Sequence, residues 1–297
     1  EKDGGDFSRF QAKFNLILGL LRHFENRFER LEKSMQCIVD RHQREGINFV
    51  EYRCGSSEET TEGFLAFHHS QAKVLASQKG MTARYIISLR RWAAEQDYQW
   101  VQRLMRAHPE LVSVIVGVDF AHFEEGYPPK DQRALFERIK HDNEEFPQCA
   151  LEITYHVGES YFDKSLESAI RWCHEIAQMG AKRLGHAIAL GLDPEVAIAR
   201  RPNAHTHELI SERLDQIAYD LVHAGELENS GIEVDTEALE REQQVLQKGA
   251  SVDMVERPYD AQRLQDIRKR QKYVLDCLTS LGTVIETCPT SNLRIGG

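Results

Sequence analysis

Short β-like runs alternate along this chain with amphipathic helical stretches, and this alternation constrains the fold more than any other feature. Strands that alternate with helices indicate a parallel sheet joined by crossover helices. The run VSVIVGV, which begins at Val112, is almost continuously apolar, as expected of a strand buried on both faces. Six runs are predicted as strands: 48–53, 84–89, 112–120, 150–156, 183–186 and 283–287.

The predicted fold class is α/β: a (β/α)8 TIM-like barrel, incomplete within this sequence and interrupted by a helical insertion. A doubly wound sheet is the competing fold, but no glycine-rich nucleotide turn follows a strand. The interval 192–282 between the fifth and sixth runs is far longer than a βα unit needs. Residues 193–262 are therefore predicted to be a charged, mostly helical insertion. The barrel parts are expected in 1–192, with strands two to six, and in 263–297, with a helix and strand seven.

Several segments carry apolar residues at helical spacing. Within 10–39 the apolar positions step by threes and fours, which predicts a helix or helix pair packed on the core, with a coiled coil as the alternative. Similar stripes over 209–221 and 264–281 predict two more helices. Between them, 225–235 and 249–258 are predicted to be loops.

Composition limits the classes of partner. The chain has 297 residues and a formal net charge of −10, which argues against a surface that coats nucleic acid. Its six cysteines are scattered without a CxxC pair, as expected of reduced thiols in a cytoplasmic protein. No stretch approaches 18 consecutive apolar residues, so no membrane span is predicted.

Polar residues stand at the C-terminal ends of four predicted strands, the edge at which parallel barrels place their active sites. They are Asp119, followed by HVGE from His156, RLGH from Arg183 and ETCPTSN from Glu286. Each alone has a structural explanation, such as a hydrogen-bonded histidine or a helix cap at Asp119. Two histidines and a carboxylate on one edge instead indicate metal-assisted hydrolysis or proton transfer. Cys288 is predicted to be a small buried residue rather than a nucleophile.

These motifs, in this order, resemble those of the adenosine deaminase family of metal-dependent amidohydrolases. That family has HAGE, R-x-GHG and E-x-CP-x-SN where this chain has HVGE, RLGHAIAL and ETCPTSN. The segments DFSRFQAKFNLIL, INFVEYR and VIVGVDFAHFE also resemble the first helix and the second and fourth strands of that barrel. The resemblance covers most of the chain outside the insertion. It implies an enzyme that hydrolytically deaminates an adenine nucleoside or nucleotide with zinc as cofactor.

The resemblance also implies catalytic and metal-binding roles for matching residues. His156 is expected to be a zinc ligand. Glu159 is expected to protonate the purine ring at N1 while water attacks C6. His186 is expected to orient and activate the zinc-bound water.

Substrate-binding residues are expected at Asp119, His122 and Gly158, with the main chain around Asp119–His122 touching the purine. The sequence departs from the family pattern here. His122 replaces the usual glycine of D-L-A-G, which bears on the contacts to the purine edge, and Ala187 replaces the glycine after His186.

The family takes two further zinc ligands from an H-x-H motif at the end of the first strand and an aspartate ligand from the last strand. We expect those strands and ligands to lie outside this sequence. A full protein without them would instead be a scaffold or regulatory pseudoenzyme. A related amidohydrolase acting on another amino-purine is the second alternative.

Two segments of the insertion imitate these motifs. HAGE from His223 matches the family motif letter for letter but follows a helical stretch, and Gly225 is explained as a helix C-cap. His205-Thr206-His207 imitates H-x-H, but it is expected to open a helix with Thr206 as N-cap.

The insertion itself is expected to support a homo-oligomer, with a substrate-selecting lid and a decoration without a role as alternatives. The stripes over 209–221 and 264–281 offer more apolar surface than a lone flap needs. The long insertion is also reminiscent of oligomeric deaminases in RADAR-type bacterial anti-phage defence, although no motif within it carries that similarity.

Overall fold

The computed structural model describes residues 7–22, 27–55, 80–160, 163–199, 207–250 and 253–289. The helices are α1 (Phe7–Arg22), α2 (Arg27–Arg44), α3 (Ala94–Ala107), α4 (Arg133–Glu145), α5 (Leu166–Met179), α6 (Pro194–Ala199), α7 (Ile210–Val222), α8 (Ala224–Asn229), α9 (Thr236–Leu246) and α10 (Ala261–Leu281). The strands are β1 (Phe49–Gly55), β2 (Thr82–Arg90), β3 (Ile115–Ala121), β4 (Glu152–Val157), β5 (Arg183–His186), β6 (His207–Leu209), β7 (Met254–Glu256) and β8 (Val284–Glu286).

The order of the strands decides between the two candidate folds. Strands β1, β2, β3, β4, β5 and β8 follow one another in the sheet in chain order. The pairs β1–β2, β2–β3 and β5–β8 are parallel, and α3, α4 and α5 connect successive strands from β2 to β5. A doubly wound sheet reverses its order at a switch point, whereas this order never reverses. The predicted α/β barrel class is therefore confirmed, with six strand positions among the described residues.

All six predicted strands are present, and most of their ends move by only one or two residues. The largest difference is at β3, predicted from residue 112 but starting at Ile115, because a 3-10 turn over Pro109–Leu111 is followed by a hydrogen-bonded turn. The segment 10–39 contains parts of two helices, α1 and α2, and residues 23–26 between them lie outside the described residues.

The insertion differs from its predicted outline in three places. The predicted loop 225–235 contains most of α8, and the predicted loop 249–258 contains β7. His207 does not open a helix: it begins β6, which pairs antiparallel with β7. Helix α7 then starts without a side-chain cap, while His205 and Thr206 lie outside the described residues.

The chain divides into two compact units, of which the first comprises Glu1–His122 and Ala134–Thr154. Its core is built from the apolar residues of β2 and β3 and the inward faces of α3 and α4. Phe120 and Phe136 stack there with ring centroids 5.4 Å apart. Gly117 lies where a Cβ would come within 2.6 Å of the Glu152 carbonyl oxygen. This position of β3 therefore requires glycine.

The second unit comprises Phe123–Arg133 and Tyr155–Gly297, with α5 at its centre. Residues 166–174 of this helix are all buried, and α5 packs against both α7 and α10. Its ends follow standard capping chemistry: the Ser165 side chain accepts the Ser168 N–H, and Gly180 closes the helix in the left-handed conformation. The insertion helix α7 is therefore part of the packed interior of this unit.

The apolar stripe of α7 packs against other residues of the second unit. Ile210 and Ile217 form a buried cluster with Leu246, and Leu214 and Leu221 pack against it. The first of the two stripes invoked for assembly is thus covered by α9 and neighbouring residues of the same unit. The homo-oligomer stays a prediction that no longer rests on this stripe.

Buried ion pairs also join α7 to α5 and α10. The guanidinium of Arg171 donates to Glu212 at 2.7 Å, and the same carboxylate oxygen accepts the Trp172 indole N–H at 3.2 Å. Arg270 binds Asp220 through two hydrogen bonds of 2.6 and 2.9 Å. Because these groups are out of water, each depends on its partner for solvation.

We expect Glu212→Gln to lower the free energy of unfolding by about 3 kcal/mol, since it leaves the buried Arg171 charge only partly compensated. Arg171 keeps its contacts to Glu175 in this variant. Urea denaturation of wild type and variant measures the difference. Asp276→Asn, which breaks the exposed pair with Lys272, is the control and should change little. Equal effects of the two substitutions would contradict the importance of burial.

None of the helices in the described ranges combines the length and apolar character needed to cross a bilayer. All six cysteines fall within those ranges, and none of them forms a disulfide.

Candidate active site

The HVGE segment leaves the sheet at the end of β4. The strand ends at Val157, and Gly158 turns the chain with a φ of +67°, a conformation that favours glycine. A Cβ on Gly158 would lie 2.8 Å from the Cys173 Sγ and 3.3 Å from the Ala189 Cβ. Glycine is therefore required here by both conformation and space, and the turn sets the direction of Glu159.

The RLGH segment ends β5 directly beside it. A Cβ on Gly185 would meet the His156 ring at 3.2 Å, so the glycine before His186 makes room for the neighbouring imidazole. His186 and Ala187 both have positive φ values, 68° and 46°. The glycine that the family has after this histidine suits that backbone, and Ala187 adopts it at the cost of some strain.

Backbone hydrogen bonds hold the two turns together. The Ala187 N–H donates to the Val157 carbonyl at 3.0 Å, and the Ala189 N–H donates to the Gly158 carbonyl at 2.9 Å. The positions of the HVGE and RLGH segments are therefore coupled through main-chain hydrogen bonds.

Three predicted site residues of the second unit converge. The rings of His156 and His186 have centroids 5.2 Å apart, and the Glu159 Oε1 lies 3.5 Å from the His186 Nε2. The Glu159 and His186 side chains are only 10% and 9% exposed. Two imidazoles and a carboxylate in a mostly buried setting can hold a metal-bound water and move protons.

These residues fit part of a zinc site. Imidazole nitrogens are common zinc ligands, but a catalytic zinc needs at least three protein ligands and an open position. No group of three or more His, Cys, Asp or Glu is placed to hold a metal ion within the parts of the chain that the structure describes. His156 is suited to contribute one ligand of such a set.

Asp119 and His122 belong to the first unit. The Asp119 carboxylate is fully buried, accepts the Thr154 hydroxyl at 2.9 Å and lies 3.3 Å from the Arg53 Nε. It does not cap the next helical turn, whose N-cap is Pro128. Its side chain thus helps to fix the end of β3.

His122 takes the place of the family's glycine at a position whose backbone conformation favours glycine. Its φ is +73°, and its ring lies against Trp92 with centroids 5.1 Å apart. Burial lowers the pKa of His122, and the charges of Arg91 and Arg90 lower it further. An imidazole with hydrogen-bonding nitrogens therefore stands where the family has a glycine without a side chain.

The last motif is described only in part. Strand β8 ends at Glu286, which forms an ion pair with Arg183 at 3.1 Å. Cys288 is exposed, so its predicted burial is wrong: it lies beyond the last strand residue, outside the sheet. Residues 290–297 lie outside the described residues.

The second HAGE copy starts directly after α7 and continues into α8, so it does not follow a strand. His223 follows α7, and its Nδ1 lies 3.0 Å from the Glu226 carboxylate. Its ring packs against Tyr219 and His174, with centroid distances of 4.4 and 5.4 Å. Gly225 is inside α8, so the predicted C-cap role is wrong, and His223 itself ends α7. The cluster has an evident structural role in packing α5 against α7.

This cluster predicts a measurable pH dependence of stability. Burial, together with the nearby His223, lowers the pKa of His174 to about 4. Below pH 6.5 the unfolded chain takes up a proton that the folded chain resists, so stability is lost as the pH falls from about 6.5 to about 4. Between pH 7.5 and 5.0 the unfolding free energy of wild type should fall by about 2 kcal/mol more than that of His174→Asn, which lacks the buried imidazole.

Urea denaturation at the two pH values tests this. His141→Asn is the control, since the His141 side chain is 74% exposed, and it should keep the wild-type pH dependence. An unchanged dependence in His174→Asn would show that the buried imidazole does not govern the loss.

One buried acid near the site was missed by sequence reasoning. Glu124 is 3% exposed, and its carboxylate accepts the N–H groups of Gly158, Glu159 and Ser160. Its clue was its place five residues after Asp119 in VDFAHFEE, immediately beyond the end of β3.

Comparison with known proteins supports the resemblance seen in the motifs. The chain is 24% identical to adenosine deaminase 1 of Streptomyces coelicolor over 204 residues, 65% of this chain and 46% of that protein. It is 29% identical to an adenosine deaminase of Mycolicibacterium gilvum over 196 residues, 63% of this chain and 48% of that protein. The chain thus spans about half the length of these curated relatives. The resemblance to adenosine deaminases is confirmed.

A solved structure of an amidohydrolase from Burkholderia ambifaria with bound zinc is 15% identical, with a TM-score of 0.47 over 63% of this chain and 49% of that one. No protein-family model matches the chain.

Proposed function

We propose that the full-length protein is a zinc-dependent hydrolase that deaminates an adenine nucleoside or nucleotide to its inosine form, releasing ammonia. The observation that carries this proposal is the contact of Glu159 with His186, beside the ring of His156, at the ends of β4 and β5. The names of the curated relatives support the same reaction.

Each residue has a distinct task in this reaction. His186 orients the attacking water and accepts its proton. Glu159 donates a proton to the purine N1, which makes C6 more electrophilic, and Gly158 allows its backbone close to the base. Because both side chains are largely shielded from solvent, these proton transfers take place in a medium of low effective dielectric, where charge–charge interactions are stronger than in water.

The cofactor suited to this site is zinc. His156 would provide one ligand, and further ligands would come from residues beyond those described. A bound zinc would supply a water of lowered pKa, near 7. We also place the base-contacting main chain at Asp119–His122, with His122 as the feature that sets base preference.

The test uses the full-length protein with adenosine, AMP, ATP, adenine and a second amino-purine nucleoside. Chromatography of the products and release of ammonia report turnover, and elemental analysis reports zinc. We expect deamination of an adenine compound and about one zinc per chain, lost in His156→Ala. Absence of turnover on every substrate would overturn the enzyme and favour a scaffold. Turnover of the second amino-purine alone would move the function to a related amidohydrolase.

A further inference from the structure

Three consecutive amide groups of the HVGE turn converge on one buried carboxylate. The Glu124 Oε1 accepts the Gly158 N–H at 3.0 Å, and its Oε2 accepts the Glu159 and Ser160 N–H groups at 3.1 and 3.2 Å. We call residues 158–160 the acid loop. Successive N–H groups that point to one side around a left-handed residue form a concave anion-binding arrangement. In this chain a carboxylate of the protein itself fills it.

Contacts on either side extend this arrangement. The Ser160 hydroxyl also donates to Glu125, and the Gly126 N–H donates to Asp163 at 2.8 Å. Residues 124–126, which follow β3, are thus joined to residues 158–160 and to Asp163, which follow β4, at three successive places. Lys164, itself buried, binds Asp163 at 2.5 Å and the Ser160 carbonyl at 3.4 Å. These links restrict the backbone on both sides of Glu159.

The Glu124 carboxylate and the segment after β5 hold opposite sides of the Gly158 turn. The Gly158 turn is already held by hydrogen bonds from the segment after β5 to the Val157 and Gly158 carbonyls. Those bonds constrain the carbonyl side of the turn, whereas Glu124 constrains its N–H side. The orientation of the peptide units on both sides of Glu159, and hence the direction of its side chain, follows from this second set of contacts.

We propose that Glu124 is the positioning residue for the catalytic acid: by binding the three amides of the acid loop it holds Glu159 against His186. This inference rests on the proposed function and adds a residue to it. A carboxylate that accepts N–H groups makes charge-assisted hydrogen bonds, which are stronger and more directional than neutral ones. The acid is therefore held by a fixed anion rather than by a solvent-exposed loop.

The test replaces Glu124 by glutamine in the full-length protein. The side chain keeps its size, but one oxygen becomes an NH2 group that cannot accept an N–H. We expect kcat to fall by up to about 10²-fold, because misplacement of a reacting group by about 1 Å has an effect of that size, while KM changes little. Glu124→Asp, which keeps both acceptor oxygens, should recover part of kcat. Amide hydrogen exchange of the acid loop should be faster in Glu124→Gln than in wild type.

Glu167→Gln is the matched control. Glu167 is also buried in the same unit but pairs with Arg263 rather than with the acid loop. It should lose stability and keep the kcat of the folded fraction. An unchanged kcat in Glu124→Gln, or an equal loss of kcat in Glu167→Gln, would overturn the positioning role while the proposed function stands.

If wild type shows no turnover, the proposed function fails, and only hydrogen exchange then tests whether Glu124 holds the acid loop. Accelerated exchange of the acid loop in Glu124→Gln supports this role of Glu124, and unchanged exchange overturns it.

Discussion

Replacement of Glu159 by glutamine is expected to lower kcat for deamination by about 10²–10⁴-fold, the contribution typical of a general acid. Glutamine has the same shape and can still contact His186, but it has no acidic proton to give to a purine nitrogen. The zinc content of the full-length protein should stay unchanged, because Glu159 is not among the expected ligands. Steady-state kinetics together with elemental analysis measure both quantities.

The chain provides its own control for this experiment. Glu226 ends the second HAGE copy, where it lies in α8 and contacts His223 at the end of α7. Glu226→Gln should leave kcat at the wild-type value. A loss of activity in Glu226→Gln, with normal activity in Glu159→Gln, would reverse the assignment of the two copies and remove Glu159 from the mechanism.

The strand ends could be predicted from the sequence because each is marked by two features, the end of an apolar run and a polar residue. An apolar run defines each strand, and a polar residue that interrupts it must lie at an end or be paired. His156 and His186 satisfied this test, and β4 and β5 end within one residue of them. His223 matched a motif better but followed a helical pattern, and it lies after α7. The local structure before a motif was therefore a better guide than the letters of the motif.

Backbone conformation could not be predicted in the same way. His122 and Ala187 stand where the family has glycine, and from the sequence the change at His122 is interpreted as altered contacts to the purine edge. The structure places both in the left-handed region, so the positions are primarily conformational. A sequence shows which residue is present, but only the surrounding turn shows which conformation it must adopt.

Long-range polar partners were the other feature beyond the reach of the sequence. Arg171 lies in an amphipathic helix, where a charged residue is expected on the solvent side, yet it is 2% exposed and paired with Glu212, 41 residues later. The prediction that 193–262 is a charged, mostly helical insertion did not include such pairs. Because Arg171 and Arg270 depend on carboxylates of α7, we expect removal of that helix to disturb α5 and α10 as well.

The largest effect on stability is expected for Gly158→Ala. The new Cβ would lie 2.8 Å from the Cys173 Sγ in a fully packed region, and overpacking of this kind costs typically about 1–3 kcal/mol. The left-handed backbone adds about 1 kcal/mol for any residue with a Cβ. Any shift that relieves the contact also moves Glu159, the next residue, so kcat should fall together with the free energy of unfolding.

Two further variants separate the contributions of packing and backbone. Gly180→Ala also places a Cβ on a residue with positive φ, but nothing lies within 4 Å of it, so it should lose only the backbone contribution and keep its kcat. Gly158→Ala combined with Cys173→Ala removes the sulfur that the new methyl group meets. Since the two residues are in contact, their effects should not add: the double variant should be more stable than the sum of the single variants predicts. Additive effects, or equal losses in Gly158→Ala and Gly180→Ala, would show that the space beneath the turn does not constrain the position of the catalytic acid.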